Sequence, residues 1–319
     1  MQAKPDYLLF VNAMFGIEVP KDLPPLVNAV GPILSDSYPP LTPELEQSLH
    51  THDRVLYVAF GTHVILPFVT LAKIIEGVSA AISLGHLDSV IWALRSTARK
   101  QITGSSFART APNISNAGKG TVATYEDLLN NKHPQYHFVD FAPQRAILAH
   151  PSTHLFLTHA GPSSANESLF HGVPMIAMGI YGDQLPNSMR LSAAGVAESM
   201  SKDDSALAST LTAKIVQVIE DSEGRYARDV LRLQRIAASA SRRKILAADL
   251  IEEVMYDHEL RFEDSGMGRG RARRPMHLQT ADMRMSWWRA NNVDLWLAVG
   301  GACGLLIGVG WGIVGRWGW

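Results

Sequence analysis

From Arg54 to about residue 199, short apolar runs typical of strands alternate with segments of helical periodicity. The β-branched and aromatic run Val55–Phe60 stops at Gly61-Thr62, and the apolar residues from Leu66 to Leu84 then recur at helical spacing. Strands separated by helices of about ten residues indicate a parallel sheet covered on both faces. The sequence therefore predicts an α/β fold with a doubly wound parallel sheet. The other strands are predicted over 90–94, 137–141, 154–158, 173–178 and 196–199, and the other helices over 124–129, 144–149, 163–170 and 185–194.

Both ends of the chain depart from this alternation. Residues 1–45 are rich in proline, which is typical of an extended linker, and Thr42-Pro43 predicts a capped helix start there. Residues 46–258 contain the alternating elements and, after them, a series of helices, with a surface loop predicted over 95–121. Residues 259–290 lose periodicity and carry several arginines, which is typical of a flexible basic linker.

The last segment, residues 291–319, predicts a membrane helix and a short tail. Leu295–Val314 holds twenty residues without a charge, about 30 Å as a helix, which matches a bilayer core. A buried hydrophobic hairpin is the alternative. Arginines before the span outnumber the one after it, so the positive-inside rule places the globular part in the cytosol. Glycines recur at every fourth residue and favour a homodimer, although glycine is common in membrane helices. These glycines are Gly300, Gly304, Gly308 and Gly312.

Composition excludes some classes of protein. The net charge of −1 gives no case for a nucleic-acid partner. The one cysteine, Cys303, lies in the apolar tail, so the sequence predicts no internal disulfide framework. The opening residues lead directly into the apolar run Tyr7–Val11, which is too short for a secretory leader, and none is predicted.

Polar residues and glycines collect where the predicted strands end, and ligands of parallel sheets bind beyond those ends. Phe141 offers an aromatic face on which a base could stack, although such a residue alone would more often be core. The Gln144 amide could bind a base edge or a ribose hydroxyl. The helix start at Gly161–Ser164 directs free N–H groups at an anion, and His159 would add a donor to a diphosphate.

A carboxylate follows one helical turn later. Glu167 can accept two hydrogen bonds from a ribose diol. Asp183 and Gln184 follow the next strand and can hold sugar hydroxyls. Each residue also has an ordinary structural explanation, such as capping or a solvated face, so it is the ordered set that predicts a sugar-nucleotide site. The predicted binding residues are Thr62, Phe141, Gln144, His159, Gly161, Ser163, Ser164, Glu167, Asp183 and Gln184.

This set forms a long ordered pattern. It reads Phe-x-Pro-Gln at 141–144, Leu-x-His-Pro at 148–151, Thr-His-x-Gly-x-x-Ser-x-x-Glu at 158–167, Gly-Val-Pro-Met at 172–175 and Asp-Gln-x-x-Asn at 183–187. The pattern resembles the signature of the UDP-glycosyltransferases (glycosyltransferase family 1). The likeness is close over 141–187 and looser from Val30 to about residue 255.

The resemblance implies a GT-B fold of two Rossmann-like domains. This chain would hold the C-terminal, donor-binding domain, with residues 1–45 as a remnant of the acceptor domain. It implies inverting transfer of a sugar from a UDP-sugar to a hydroxyl of a lipophilic acceptor, with no metal or other cofactor. Animal members carry a similar single-pass membrane helix in the endoplasmic reticulum, with the catalytic part in the lumen. The roles implied are stacking at Phe141, diphosphate contacts at His159 and Ser164, ribose binding at Glu167, and sugar contacts at Asp183 and Gln184.

The chain departs from the family in three ways. Phe141 stands where the family usually has Trp, and Pro162-Ser163 replaces residues that supply an amide contact to phosphate. The family's catalytic His and its Asp partner belong to an N-terminal domain, of which we expect only the last strand and the linker here. His50, His52 and His63 do not match that base, so the catalytic residue is unassigned.

We therefore expect a chain that binds a UDP-sugar but turns it over poorly alone, either a truncated gene product or a natural half-enzyme. The alternative is a non-catalytic or split-enzyme donor-binding subunit that needs a partner. A third possibility, a membrane-tethered structural domain, predicts that Glu167→Ala and His159→Ala change nothing measurable.

Overall fold

The computed structural model describes residues 7–14, 16–18, 23–24, 26–62, 64–103, 124–262 and 281–314. The chain divides into two compact units. One comprises Asn12–Val19 and Val30–Lys244, and the other comprises Met1–Val11, Pro20–Ala29 and Ile245–Trp319.

The described strands and helices follow the predicted alternation. The strands are Leu9–Val11 (β1), Val27–Ala29 (β2), Val55–Ala59 (β3), Ser89–Ala93 (β4), Tyr136–Val139 (β5), Thr153–Thr158 (β6), Met175–Ala177 (β7) and Ala197–Ser199 (β8). The helices are Pro43–Thr51 (α1), Phe68–Ser83 (α2), Ser96–Thr103 (α3), Tyr125–Leu129 (α4), Gln144–Ala149 (α5), Pro162–His171 (α6), Gln184–Ala193 (α7), Leu207–Glu220 (α8), Arg225–Ala240 (α9), Arg243–Phe262 (α10), Ala281–Arg284 (α11), Trp287–Ala290 (α12) and Val293–Val314 (α13).

The larger unit is built on a six-stranded parallel sheet in the order β5-β4-β3-β6-β7-β8. All five residues of its central strand β3 are buried, as a strand covered on both faces requires. Leu56 and Val58 face a core cluster shared with α2 and α8, whereas Tyr57 and Ala59 face a second cluster shared with α1, α5, α6 and α9. The predicted doubly wound parallel sheet is confirmed. In the smaller unit, β1 and β2 form a parallel pair.

Local sequence signals set several helix ends. The Thr42 side chain accepts a hydrogen bond from the Leu45 N–H at 3.4 Å, and Pro43 occupies the first turn of α1, as predicted. Thr124 and Asp127 form the predicted capping box at the start of α4. Gly85, just beyond the end of α2, has a φ of +79°, a conformation that favours glycine over other residues.

Two predictions do not hold. Ser96–Thr103 is helix α3 rather than part of a loop, and the rest of the predicted loop, over 104–123, lies outside the described residues. The segment is polar and lacks apolar periodicity, and its Arg99 side chain pairs with Asp140 beyond β5. None of the helices in the described part of the chain is both long and apolar enough to cross a membrane, so the span predicted over 295–314 is not supported.

Candidate functional site

The carboxyl ends of β3, β4, β5 and β6 surround a cleft of about 750 Å³. The predicted site residues that line this cleft are Thr62, Phe141, Gln144, His159, Ser163, Ser164, Glu167 and Gln184. Gly161 and Asp183 do not line it directly. The topology therefore brings together residues that are more than 120 positions apart in the sequence, because parallel strands all end at one edge of the sheet.

Phe141 stands out at the rim of the cleft. It lies in the short connection between β5 and α5, and 76% of its surface is exposed, although its neighbour Phe138 is buried in the sheet. An aromatic ring left this open to solvent in a cleft provides a flat face on which a ligand ring can stack.

Gln144, the first residue of α5, is the centre of a hydrogen-bond network. Its Nε2 donates to Glu167 Oε2 at 2.7 Å and to Ser164 Oγ at 3.3 Å, and its Oε1 accepts from the Tyr57 hydroxyl at 3.3 Å. Both amide hydrogens are therefore used within the chain. Gln144 is placed at the site as predicted, but its amide connects protein groups.

Glu167 lies half-buried one turn into α6. Its Oε1 has no hydrogen-bond donor among the described residues, in contrast to Oε2. Burial raises the pKa of this carboxyl, while the hydrogen bond from Gln144 and the nearby charge of Arg145 oppose that rise. A partly dehydrated carboxylate with one spare oxygen can accept hydrogen bonds from a ligand.

The first turn of α6 is open to an anion. Gly161 is the N-cap residue, Pro162 occupies the first turn, and no side chain caps the helix. The first intrahelical bond runs from the Ala165 N–H to the Gly161 carbonyl, so the N–H groups of Ser163 and Ser164 precede it. These N–H groups, the two serine hydroxyls and the positive end of the helix dipole favour a bound anion.

The His159 ring is held in place by its neighbours. Gly61 has a φ of +76°, and a Cβ added there would lie 3.0 Å from His159 Nε2, while a Cβ at Gly161 would collide with the same atom. Ala160, which lies between His159 and Gly161 in the chain, has a φ of +63°, which is unusual for a residue with a side chain. The Asn187 Nδ2 donates to the Ala160 carbonyl at 3.3 Å and so stabilises this bend.

The electrostatics of His159 favour a neutral ring. Burial lowers its pKa, and the Ala59 carbonyl and the charge of Asp183 only partly oppose this effect. At neutral pH the imidazole is therefore uncharged and carries a single N–H, which can donate to a ligand only from the ring nitrogen that does not face the Ala59 carbonyl.

Asp183 and Gln184, at the start of α7, differ in which polar atoms they leave free to bind a ligand. Gln184 is buried, and its Oε1 accepts the backbone N–H groups of Ile180 at 3.1 Å and Tyr181 at 3.3 Å. Its amide NH2 group is thus the part left for a ligand. Asp183 is exposed and accepts a hydrogen bond from Asn187 Nδ2 at 3.2 Å.

The sequence did not point to two further residues of the cleft. Tyr57 reads as an ordinary strand residue, yet its hydroxyl is part of the Gln144 network. Arg145 is buried, with its guanidinium 4.4 Å from the centre of the Tyr38 ring, and its Nη1 donates to the Ser35 carbonyl at 2.5 Å. A buried tyrosine hydroxyl usually has a hydrogen-bond partner, and that rule is the signal that could have identified Tyr57.

Comparison with known protein families shows to which family this chain belongs. Residues 3–255 match the family model described as "UDP-glucoronosyl and UDP-glucosyl transferase". The chain belongs to the UDP-glycosyltransferase family. The resemblance drawn from residues 141–187 is thereby confirmed.

Curated members of the UDP-glycosyltransferase family agree with this assignment. The chain is 48% identical over 296 residues to the UDP-glycosyltransferase stmC of Aspergillus ustus, which covers 92% of this chain and 54% of that protein. It is 46% identical over 311 residues to UDP-glycosyltransferase 1 of Phaeomoniella chlamydospora, covering 97% of this chain and 59% of that one. The chain thus spans little more than half the length of these relatives.

Solved structures match the fold. The structure of Os79 from O. sativa in complex with UDP has a TM-score of 0.56 and 22% identity, and the match covers 76% of this chain and 55% of that one. A UDP-glucosyltransferase from Polygonum tinctorium has a TM-score of 0.52 and 26% identity over 71% of this chain and 48% of that one. The expected Rossmann-like sheet of GT-B glycosyltransferases is therefore confirmed.

Proposed function

We propose that this chain binds the UDP-sugar donor of a glycosyltransferase, which transfers the sugar to a hydroxyl of a lipophilic acceptor with inversion. One observation carries the proposal. The Glu167 carboxylate, whose Oε1 accepts no hydrogen bond from the described residues, opens into the same cleft as the exposed ring of Phe141. The two groups suit a nucleoside, because its base can stack on a flat aromatic ring and its ribose diol can donate hydrogen bonds to a carboxylate.

The remaining groups suit the diphosphate and the sugar. The N–H groups of Ser163 and Ser164 at the start of α6 would hold phosphate oxygens, with the neutral His159 ring as a further donor. Negative charge grows on UDP as the bond to the sugar breaks, and fixed donors of this kind stabilise that charge. The Gln184 amide and the Asp183 carboxylate would bind sugar hydroxyls.

Isothermal titration with UDP tests the proposal. We expect wild-type protein to bind UDP and Phe141→Ala to weaken binding by about 5- to 150-fold, since stacking of a base on an aromatic ring contributes about 1–3 kcal/mol. The matched control is Leu84→Ala, which removes another exposed apolar side chain, at the end of α2 and away from the cleft, and should leave the affinity unchanged. Absence of UDP binding at millimolar concentration would contradict the proposal.

A further inference from the structure

Tyr57 lies beneath the cleft, on the central strand of the sheet. Its side chain is only 1% exposed, and its ring stacks on Phe156 with centroids 4.9 Å apart. Its hydroxyl reaches the cleft side, where it donates to Gln144 Oε1 at 3.3 Å. Burial, and to a lesser degree the charge of Glu167, raise the pKa of this phenol, so it stays a protonated donor.

This hydroxyl and the Glu167 carboxylate together fix which way the Gln144 amide faces. The amide oxygen must point toward an O–H donor, and the amide nitrogen must point toward acceptors. Tyr57 supplies the donor on one side, and the Glu167 carboxylate at 2.7 Å is the acceptor on the other. A flipped amide would place its oxygen against the Glu167 carboxylate and lose that bond, and its nitrogen could then only donate to the Tyr57 oxygen.

The fixed amide in turn fixes the carboxylate. Gln144 Nε2 holds Glu167 through Oε2, while Ser164 Oγ takes the second amide hydrogen at 3.3 Å. Glu167 Oε1 is left without a donor from the described residues. Without the Tyr57 hydroxyl, the amide would have no fixed donor for its oxygen, and the carboxylate would lose its defined orientation.

We propose that Tyr57 is a positioning residue for nucleotide binding. Its hydroxyl, acting through the Gln144 amide, directs the Glu167 carboxylate at the ribose diol of a nucleoside diphosphate. This inference rests on the proposed function, because it requires Glu167 to face a ribose.

A ligand that lacks the diol isolates this effect. UDP and 2′,3′-dideoxyuridine diphosphate are titrated against wild type and Tyr57→Phe, and the ratio of the two affinities is compared. We expect wild type to prefer UDP. Tyr57→Phe should weaken UDP binding about three- to tenfold, as for loss of one hydrogen bond, and leave the dideoxy ligand unaffected. The preference for UDP therefore falls by the same factor.

Tyr136→Phe is the matched control. Tyr136 is also 1% exposed on a strand of this sheet, but its hydroxyl bonds Ser79 Oγ at 2.6 Å and it does not line the cleft. The Tyr136→Phe variant should keep the wild-type preference for UDP over the dideoxy ligand. If Tyr57→Phe keeps the wild-type preference, or weakens both ligands equally, the inference is overturned. If wild type binds neither ligand, the proposed function itself fails.

Gln144→Met provides a second route if Tyr57→Phe does not fold. Methionine keeps the length of the side chain and removes its three hydrogen bonds, to Tyr57, Ser164 and Glu167, and Gln144 is only half-buried. It should reduce the preference for UDP at least as much as Tyr57→Phe. Adding Tyr57→Phe to this variant should then change nothing more, whereas a further independent loss, or an unchanged preference in Gln144→Met, overturns the inference.

Discussion

Glu198 and Glu167, two partly buried glutamates of the same sheet unit, have opposite environments. Glu198 on β8 has a side chain that is 15% exposed and accepts hydrogen bonds from four donors. These are Lys214 Nζ at 2.9 Å, Gln217 Nε2 at 3.2 Å, Arg225 Nη2 at 3.4 Å and the Tyr226 hydroxyl. Burial alone would raise the pKa of Glu198, but the bonds from Tyr226 and Lys214 and the charges of Lys214 and Arg225 outweigh it, so the pKa is lowered.

Glu167 has the reverse balance. In the described part of the chain a single neutral amide bonds Glu167, burial dominates, and the pKa of the carboxyl is raised. The difference teaches how to distinguish a structural carboxylate from a binding one. Donors reach both oxygens of Glu198, whereas no residue that the structure describes donates to Oε1 of Glu167 at the edge of the cleft. A carboxylate held at this cost in a cleft is a candidate binding residue.

Glu167→Gln tests the binding half of this contrast and should give the largest effect. We expect UDP affinity to fall about 10- to 100-fold, because hydrogen bonds to a charged group contribute about 1.5–3 kcal/mol. The melting temperature should stay unchanged or rise, since glutamine removes a carboxylate whose ionised form is disfavoured in the folded state. Titration calorimetry and thermal unfolding measure the two quantities. Unchanged UDP affinity would mean that the free oxygen meets no ligand.

Glu198→Gln tests the structural half. The free energy of unfolding should fall by about 1–2 kcal/mol, because Lys214 and Arg225 lose their counter-charge. UDP affinity should not change. Urea unfolding measures the loss, with Glu126→Gln, an exposed glutamate in the first turn of α4, as the control. A stability equal to wild type would show that the four donors do not depend on the charge of Glu198.

The same contrast separates what the sequence could predict from what it could not. Bounds of elements with strong local signals were predictable: α5 has the predicted bounds of Gln144 to Ala149, and the capping box at Thr124 starts α4. The polar helix α3 has no apolar stripe, and its Arg99 pairs with Asp140, 41 residues further along the chain. Such a contact between distant residues leaves no periodic pattern to read.

At the site, residue types and spacing predicted which groups gather at the sheet edge, because chain topology alone decides that. They did not predict how the groups are paired. Gln144 was expected to face a ligand, but it bonds Tyr57 and Glu167, and the Gln184 oxygen is used by two backbone N–H groups. Those pairings depend on side-chain distances of about one hydrogen bond in length, which spacing along the sequence does not encode.

The smallest expected effect is on the pH dependence of stability, where the two glutamates should act with opposite sign. The lowered pKa of Glu198 stabilises the fold above the unfolded value of 4.5, and this contribution is lost as pH falls through the folded pKa. The raised pKa of Glu167 favours the fold below 4.5, and that contribution is lost as pH rises through the folded pKa. Each slope is at most about 1.4 kcal/mol per pH unit.

Urea unfolding between about pH 3.5 and pH 7 separates the two contributions. In Glu198→Gln the free energy of unfolding should fall less steeply as pH drops below 4.5 than it does in the wild type. In Glu167→Gln the decline of that free energy as pH rises above 4.5 should be absent. Because the ionised form of Glu167 is the stronger hydrogen-bond acceptor, UDP affinity should fall more steeply with acidification in the wild type than in Glu167→Gln, where the phosphate of UDP still titrates. If both substitutions changed the slope of unfolding free energy against pH in the same direction relative to wild type, the contrast would be wrong. The fold would then shift the pKa of both carboxyls in the same direction.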